Sequence, residues 1–354
     1  MTEVVDKPNR HRRWVTLVVA GLLGLAACSG GGDEAADDGA ASKSPAADDA
    51  ATTTLPPDTP GPLTGLATPN AGRPALVVKI DNAPAARPQA GLDKADVVFE
   101  EMVEGGEVRF MAVFQSQDAG SVGPIRSVRP VDPEVISALG GLFAYSGGAP
   151  QFTALIRKAP VTLVGVDELG SAYTKRRDRK APHNTYSDTA KLYAGAKSDT
   201  KAPPVLFVRL AEGQAFAPLG VAPATHLTAN ITGRVKADWD FDAAANLWRR
   251  GTNGTPHVVE GGNQLGFTNV ITQFVTYKNT SSRDAAGNPV PTAEVIGSGK
   301  AIVLSGPNVV EARWSKASAT AVTEYTDTAG APLALTPGAS WVTFAPNGAT
   351  TAAR

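Results

Sequence analysis

Arg126 and Arg129 stand three apart in Gly123-Pro124-Ile125-Arg126-Ser127-Val128-Arg129-Pro130-Val131-Asp132, directly before a helix start. Two guanidinium forks, backbone N–H groups and a helix N-terminus together suit one phosphate or carboxylate. The same arginines could equally pair with Asp132, Glu100 or Glu101 and brace a loop, so both readings stand open. His183 and Asn184 follow the basic run Lys175-Arg176-Arg177-Asp178-Arg179-Lys180. An imidazole there can be a general base or a donor to an anion; a structural histidine on a solvated basic loop is the plainer alternative. The third piece is acidic: Asp81-Asn82, and Glu100-Glu101-Met102-Val103-Glu104-Gly105-Gly106-Glu107. Carboxylates at strand ends can act in catalysis or hold a cation, although pairing with nearby arginines is their commoner role. The expected ligand-binding set is therefore Arg126, Arg129, Asp132, His183, Asn184 and Asp81, with Glu100 nearby. The catalytic alternative makes His183 the base, with Asp132 or Glu100 as its acidic partner. His11 lies in the leader, and His226 and His257 sit in loop-like context.

Several familiar chemistries have no motif in the chain. There is no Gly-x-Ser-x-Gly elbow, no His-Glu-x-x-His pair and no phosphate loop; Gly299-Lys300 lacks the earlier glycine and the following hydroxyl. Ser198-Asp199-Thr200-Lys201 matches Ser-x-x-Lys without its partner motifs. No cofactor and no metal are expected. The tryptophans and tyrosines of the second half could form a carbohydrate-stacking face, but their density is that of core residues.

These residues must be held by strands and short helices. Ala75 to Ile80, Val97-Val98-Phe99 and Val108 to Phe114 are short apolar, β-branched runs that read as buried strands, and Gly105-Gly106 reads as the turn of a hairpin. Asp132-Pro133-Glu134 starts a helix running to about Leu139. Phe143-Ala144-Tyr145 reads as a strand, Ser187-Asp188 caps a helix to about Gly195, and Pro203-Pro204 precedes a strand over Val205 to Val208. The second half reads as nearly all β, with strands near 270–277, 293–296, 301–304, 309–314, 322–326 and 341–344 and turn chemistry at 284–288 and 327–330. The expected fold class is α+β: a mixed domain over 71–210, then a mostly β domain over 225–346, divided within about 211–228.

The N-terminus carries Lys7, Arg10, Arg12 and Arg13, then an apolar stretch from Trp14 to about Ala26. That stretch is shorter than the about 20 residues a spanning helix needs and fits a secretory signal. It closes in Leu25-Ala26-Ala27-Cys28, the pattern of a lipoprotein signal of residues 1–27 with lipidation of Cys28 through a diacylglyceryl thioether, palmitate being among the acyl groups. Cys28 is the single cysteine, so no internal disulfide is available. Residues 28–70, rich in Gly, Ala, Ser, Pro and Asp, read as an acidic, disordered tether. Its reach is on the order of 35–40 Å. The whole chain, 42% hydrophobic and 19% charged with net charge −1, has no bulk basic character, and nucleic acid is not expected as a partner.

Taken in order, these pieces resemble the YerB-like bacterial lipoproteins, a family with N- and C-terminal parts and no assigned activity. The resemblance rests on Val78-Lys79-Ile80-Asp81-Asn82, Arg87-Pro88-Gln89-Ala90-Gly91-Leu92, Ala95-Asp96-Val97-Val98-Phe99-Glu100, Glu104-Gly105-Gly106 with Arg109-Phe110, Gly123 to Arg129, and Ala181-Pro182-His183-Asn184. Thr268-Asn269-Val270-Ile271 and Pro337-Gly338-Ala339-Ser340-Trp341-Val342 resemble the C-terminal part, so about 71–346 is covered. The family commonly has a histidine two residues before a Gly-Gly-Ser. This chain has Tyr145-Ser146-Gly147-Gly148-Ala149 instead, which weakens a hydrolytic role. The resemblance implies an exported lipoprotein with an α+β first domain.

The expectation is thus a protein lipid-anchored at the extracytoplasmic face of the cell membrane. Its partners would be that membrane, through Cys28, and an anionic cell-wall ligand. Binding is favoured over catalysis; an envelope hydrolase or transferase and a non-catalytic scaffold are the alternatives.

Overall fold

The computed structural model describes residues 59–354. The expected signal, Cys28 and the expected tether up to residue 58 lie outside the described residues. In the first half the strands are β1 (Leu76–Asp81), β2 (Val97–Met102), β3 (Val108–Phe114), β4 (Leu142–Ala144), β5 (Thr162–Leu163), β6 (Thr174–Lys175) and β7 (Thr185–Tyr186); the helices are α1 (Asp132–Ile136), α2 (Pro150–Ile156) and α3 (Thr189–Tyr193). In the second half the strands are β8 (Ala222–Pro223), β9 (His226–Asn230), β10 (Lys236–Asp242), β11 (Leu247–Thr252), β12 (Thr255–Pro256), β13 (Gly266–Phe267), β14 (Asn269–Arg283), β15 (Pro289–Glu294), β16 (Gly297–Ser305), β17 (Asn308–Lys316), β18 (Glu324–Thr326), β19 (Ser340–Pro346) and β20 (Thr351–Ala353). The body is mostly β, as read for the second half. The first half is mixed, but its three α-helices are one to two turns long.

A twelve-stranded sheet runs β18-β17-β16-β14-β19-β2-β3-β1-β4-β5, with β15 on β14 and β8 on β17. β19 lies parallel to both β14 and β2, pairing Val342 with Ile271 on one side and with Phe99 on the other. The last long strand therefore joins the two halves edge to edge. A six-stranded sheet, β12-β11-β10-β9-β20 with β13 on β11, covers one face.

Both main cores draw on both halves. One joins Val77, Met111, Ile136 and Phe152 to Ile271, Val303 and Val342. The other joins Val78, Ile80 and Phe110 to Trp239, Trp248, Phe267 and Trp341. The change of composition at 211–228 thus marks no gap in packing. The tryptophans expected as core are core: Trp239, Trp248 and Trp341 are at most 1% exposed.

Local chemistry explains most boundaries. Gly105 and Gly106 both take positive φ, +71° and +75°, and turn β2 into β3. Asp188 caps α3, its side chain accepting from Lys191 N at 2.8 Å. Three expectations need correction. The helix expected to run to about Leu139 ends at Ile136, and its N-cap is Val131 and not Asp132; the chain then turns through Gly140 and Gly141 at positive φ. Residues 205–208 form no strand; after Pro203-Pro204 the segment meets only a single bridge, Arg209 to Leu335. Residues 59–70, expected to belong to the tether, are instead part of the folded body. Leu63 is fully buried among the core residues, Pro60 bridges Ala67, and Gly338 N donates to Thr64 O at 2.8 Å. One buried leucine and its backbone pairing suffice to order a segment whose composition reads as loose.

Candidate functional site

β1 and β2 both pair antiparallel with β3, setting Asp81 and Glu101 opposite Arg109, and Lys79 opposite Met111. Strand alternation then puts Lys79, Asp81, Glu101 and Arg109 on one face. Every residue of β1 is buried, so Lys79 needs an ionic partner inside the protein. It has two: its Nζ lies 2.6 Å from Asp132 Oδ1 and makes a short contact with Glu101 Oε1. Burial raises the Glu101 carboxyl to about 7; Lys79 opposes that shift and Asp132 adds to it. Asp132, in the first turn of α1, also accepts from Arg129 N at 2.8 Å.

Arg129 is held in turn by Glu104, with Nε 2.6 Å from Oε2 and Nη2 on Oε1. Arg109 Nη2 donates to the same Oε1 at 3.0 Å. Burial alone would raise the Glu104 carboxyl, but the hydrogen bonds from Arg129 and the charges of Arg109 and Arg129 outweigh it and hold it at about 2. Arg109 is lowered to about 10 by burial and by the neighbouring charge of Arg129. Six ionic side chains therefore close on one another, and Arg129 and Asp132 have no capacity facing outward.

The rim of the same face is arranged differently. Arg126 N donates to Lys79 O at 2.9 Å, and Ile125 N to Thr185 O at 2.7 Å. The stretch 123–129 is thereby clamped between β1 and the small hairpin of β6 and β7. That hairpin delivers His183, whose Nδ1 lies 2.6 Å from Asp81 Oδ2. Arg126 Nε is 2.9 Å from the same oxygen, an ion-pair contact without the alignment of a directed hydrogen bond. Asp81 Oδ1 accepts from Ala83 N at 3.2 Å. Asp81 accepts from Nδ1 and so leaves Nε2 facing outward, where it is an acceptor in the neutral ring and a donor to an anion when the ring carries both hydrogens. Among the described residues, neither His183 Nε2 nor the terminal nitrogens of Arg126 have a partner. The two side chains remain 18% and 20% exposed. Asn184 is half-buried; its carbonyl accepts from Arg176 N at 2.8 Å and its side chain is unpartnered.

The expected set therefore divides. Asp81, Arg126 and His183 come together at the rim, with Asn184 next to His183 in the chain, whereas Arg129 and Asp132 belong to the closed network. Glu100 lies on the opposite face. It accepts from Arg250 Nη2 at 2.7 Å, from Trp341 Nε1 at 3.0 Å and from Thr343 Oγ1 at 2.8 Å. The carboxylate on His183 is thus Asp81, and neither Asp132 nor Glu100. Strand alternation separates Glu100 from Glu101, and the lysine of β1 claims Asp132. His257, read as a loop residue, is 2% exposed and bridges Gln89 Oε1 and Thr252 Oγ1. Burial, with Arg250 and Arg87 nearby, keeps its imidazole well below the usual range.

Glu104 pairs with arginines, the commoner role read for its acidic stretch; Lys79 and Arg109 are ionic partners that the sequence reading does not name, although a lysine inside an otherwise apolar strand signals that partners must exist. Tyr145, where the resemblance implies a histidine, is core: it stacks on Phe143 and donates to Glu168 Oε1 at 2.9 Å. Among the described residues no cluster of three His, Cys, Asp or Glu is placed to hold a metal. One larger hollow, about 890 Å³, lies elsewhere, between residues 60–67, 205–214 and 336–337.

Comparison with known proteins adds the lineage. Residues 63–202 match the family model described as protein of unknown function (DUF3048) N-terminal domain, and residues 227–342 match its C-terminal domain. A Bacillus subtilis (strain 168) protein named Putative lipoprotein YerB is 30% identical over 296 residues, covering 81% of this chain and 86% of that protein. The crystal structure of YerB from Bacillus subtilis superposes with a TM-score of 0.70 at 24% identity, over 83% of this chain and 99% of that one, a likeness of fold.

Proposed function

This chain belongs to the DUF3048 family, and from that premise we propose that it is a lipid-anchored protein of the extracytoplasmic membrane face that binds an anionic ligand of the cell envelope between Arg126 and His183. The anchor reading is supported by Leu25-Ala26-Ala27-Cys28 behind a basic, apolar leader, and by the name of the Bacillus relative. The binding reading is carried by one observation: Arg126 and His183 converge on a single oxygen of Asp81 while their outward nitrogens are unpartnered. Asp81 orients both groups, as a carboxylate behind a histidine commonly does. The free guanidinium edge supplies parallel N–H donors for a carboxylate or phosphate, and the Asn184 amide can add one more.

The test measures location and binding of inorganic phosphate, acetate and envelope extracts in two variants. Cys28→Ala is expected to leave the membrane fraction and keep its ligand. Arg126→Ala with His183→Ala is expected to stay at the membrane and lose it. Binding retained in the folded double variant overturns the site, and membrane retention of Cys28→Ala overturns the anchor.

A second reading has its own support. A carboxylate on Nδ1 with Nε2 left open is also the arrangement of a general base that activates water. Turnover of an envelope ester or phosphoester that disappears in His183→Ala would favour this hydrolytic reading over simple binding.

A further inference from the structure

We infer that the ligand is a linear, base-free polyanion that runs from Arg126 and His183 along the tip of the 174–186 hairpin onto Arg177 and Lys180; this rests on the anion-binding reading above. Residues 174–186 hold five cationic side chains, Lys175, Arg176, Arg177, Arg179 and Lys180, against one acid, Asp178, in a chain whose net charge is −1. Three of the five are committed. Arg176 holds Glu260 through two contacts of 2.7 and 2.8 Å and reaches Asp178. Arg179 donates to the carbonyls of Arg87 and Pro88 at 3.2 and 2.8 Å and to Glu260 at 3.0 Å. Lys175 Nζ donates to Thr185 Oγ1 at 2.5 Å. These bonds pin the hairpin tip to the body. Arg177 and Lys180 are exposed and, among the described residues, unpartnered. His183 N donates to Lys180 O at 2.9 Å, so the turn that delivers the imidazole also carries the free lysine beside it.

Surplus charge fixed on a pinned loop next to a single-anion site is suited to a ligand with several charges in a row. The surface offers no platform for bases. Among the described residues no aromatic ring is exposed, and the nearby Tyr186 ring is buried with the Arg176 guanidinium 4.6 Å above it. Single-stranded nucleic acids are held largely by base stacking on aromatic side chains. A polymer bearing repeated phosphate or carboxylate groups needs none.

Titration of the full-length protein in detergent with poly(glycerol phosphate), a polyuronate, oligo-deoxythymidine and glycerol phosphate, between about 50 and 200 mM salt, tests this. Each phosphate contact adds roughly 0.7–0.9 to the slope of log affinity against log salt. Arg177→Ala with Lys180→Ala should lower the slope for the polymer by nearly two. Wild-type affinity for the polymer should then fall roughly ten-fold more over that salt range than the variant's. Glycerol phosphate binding should not change. Tighter binding of the phosphate polymer than of the polyuronate, or the reverse, identifies the anionic group, and both outcomes support the inference. Unchanged polymer slopes in the folded variant, or oligo-deoxythymidine binding as tight as either polymer, overturn it. If Arg126→Ala still abolishes glycerol phosphate binding in that case, the single-anion reading survives alone. If Arg126→Ala affects neither monomer nor polymer, the underlying reading fails.

Discussion

Arg126 and Arg129 are three residues apart, share a motif and face the same sheet, yet they occupy two different electrostatic regions. Arg129 is closed on Glu104 and tied through its backbone to Asp132, within a network that includes Lys79, Glu101 and Arg109. Arg126 shares Asp81 with His183 and keeps its outer nitrogens open to solvent. Residue type and spacing do not separate scaffold from site here. Saturation does: a cation whose donors are all used by buried carboxylates has nothing left for a ligand, while one that meets a single shared carboxylate has. The closed region should therefore govern stability and the open rim should govern binding.

The largest effect expected from that division is on Lys79. Lys79→Met removes the cation between Glu101 and Asp132 at a fully buried position. Breaking such a pair from one side typically costs about 3–5 kcal/mol, because the carboxylates are left buried and uncompensated. Denaturant unfolding should show a loss of that size with ligand binding per folded molecule unchanged. A loss below about 1 kcal/mol would mean that the network is not closed and would erase the contrast with the rim.

The sequence made the elements of both regions legible more readily than their partnerships. The β-branched runs at 75–80 and 108–114, the Gly105-Gly106 turn and the Asp132-Pro133 helix start are local signals: strands form over 76–81 and 108–114, the glycines turn β2 into β3, and a helix begins at Asp132, one position before the expected start and without a side-chain cap. Glu100 and Glu101 had to face opposite sides once 97–102 was a strand. What was not legible depends on distant chain. Arg126 turns to the rim because its backbone closes on Lys79 O and Val128 N closes on Gly147 O, and no local pattern encodes either bond. Asp81 becomes the partner of His183 across 102 residues. The two halves became one body because β19 inserts beside β2, a pairing that no window of sequence contains. Leu63 ordered a stretch that composition alone assigned to the tether.

A smaller effect is expected from pH, and it discriminates within the closed region. Glu104, held at about 2 in the fold against an ordinary 4.5, adds stability that is present above 4.5 and lost as pH falls toward 2. Glu101, raised from 4.5 to about 7, does the reverse: its contribution is present below 4.5 and lost as pH rises through 7. Each should be worth on the order of 3 kcal/mol, with solvent screening trimming the Glu104 share. Unfolding free energies across pH should show Glu104→Gln converging on wild type toward pH 2. Glu101→Gln should match wild type below about pH 4.5 and become the more stable of the two as pH rises through 7, a divergence of the opposite sign at the opposite end of the range. Parallel pH curves for wild type and both variants would remove the assigned charge pairing.

The smallest effect expected on stability is at the rim, and it is the sharpest check of the comparison. Arg126→Ala leaves Asp81 with His183 and with the amide of Ala83, and the side chain removed is itself 20% exposed. Pairs that retain this much solvent contact contribute about 0–1 kcal/mol, so the variant should unfold within about 1 kcal/mol of wild type while its anion binding is lost. His183→Ala should behave the same way, because Asp81 then keeps Arg126. The double variant distinguishes the cases further: Arg126 and His183 share one oxygen of Asp81, so with both gone the buried carboxylate keeps only the amide of Ala83, and the loss should exceed the sum of the two single losses. A loss above about 3 kcal/mol in either single variant would place Arg126 and His183 in the same closed class as Lys79. Their convergence on Asp81 would then be scaffold, with no surplus donor capacity to offer a ligand.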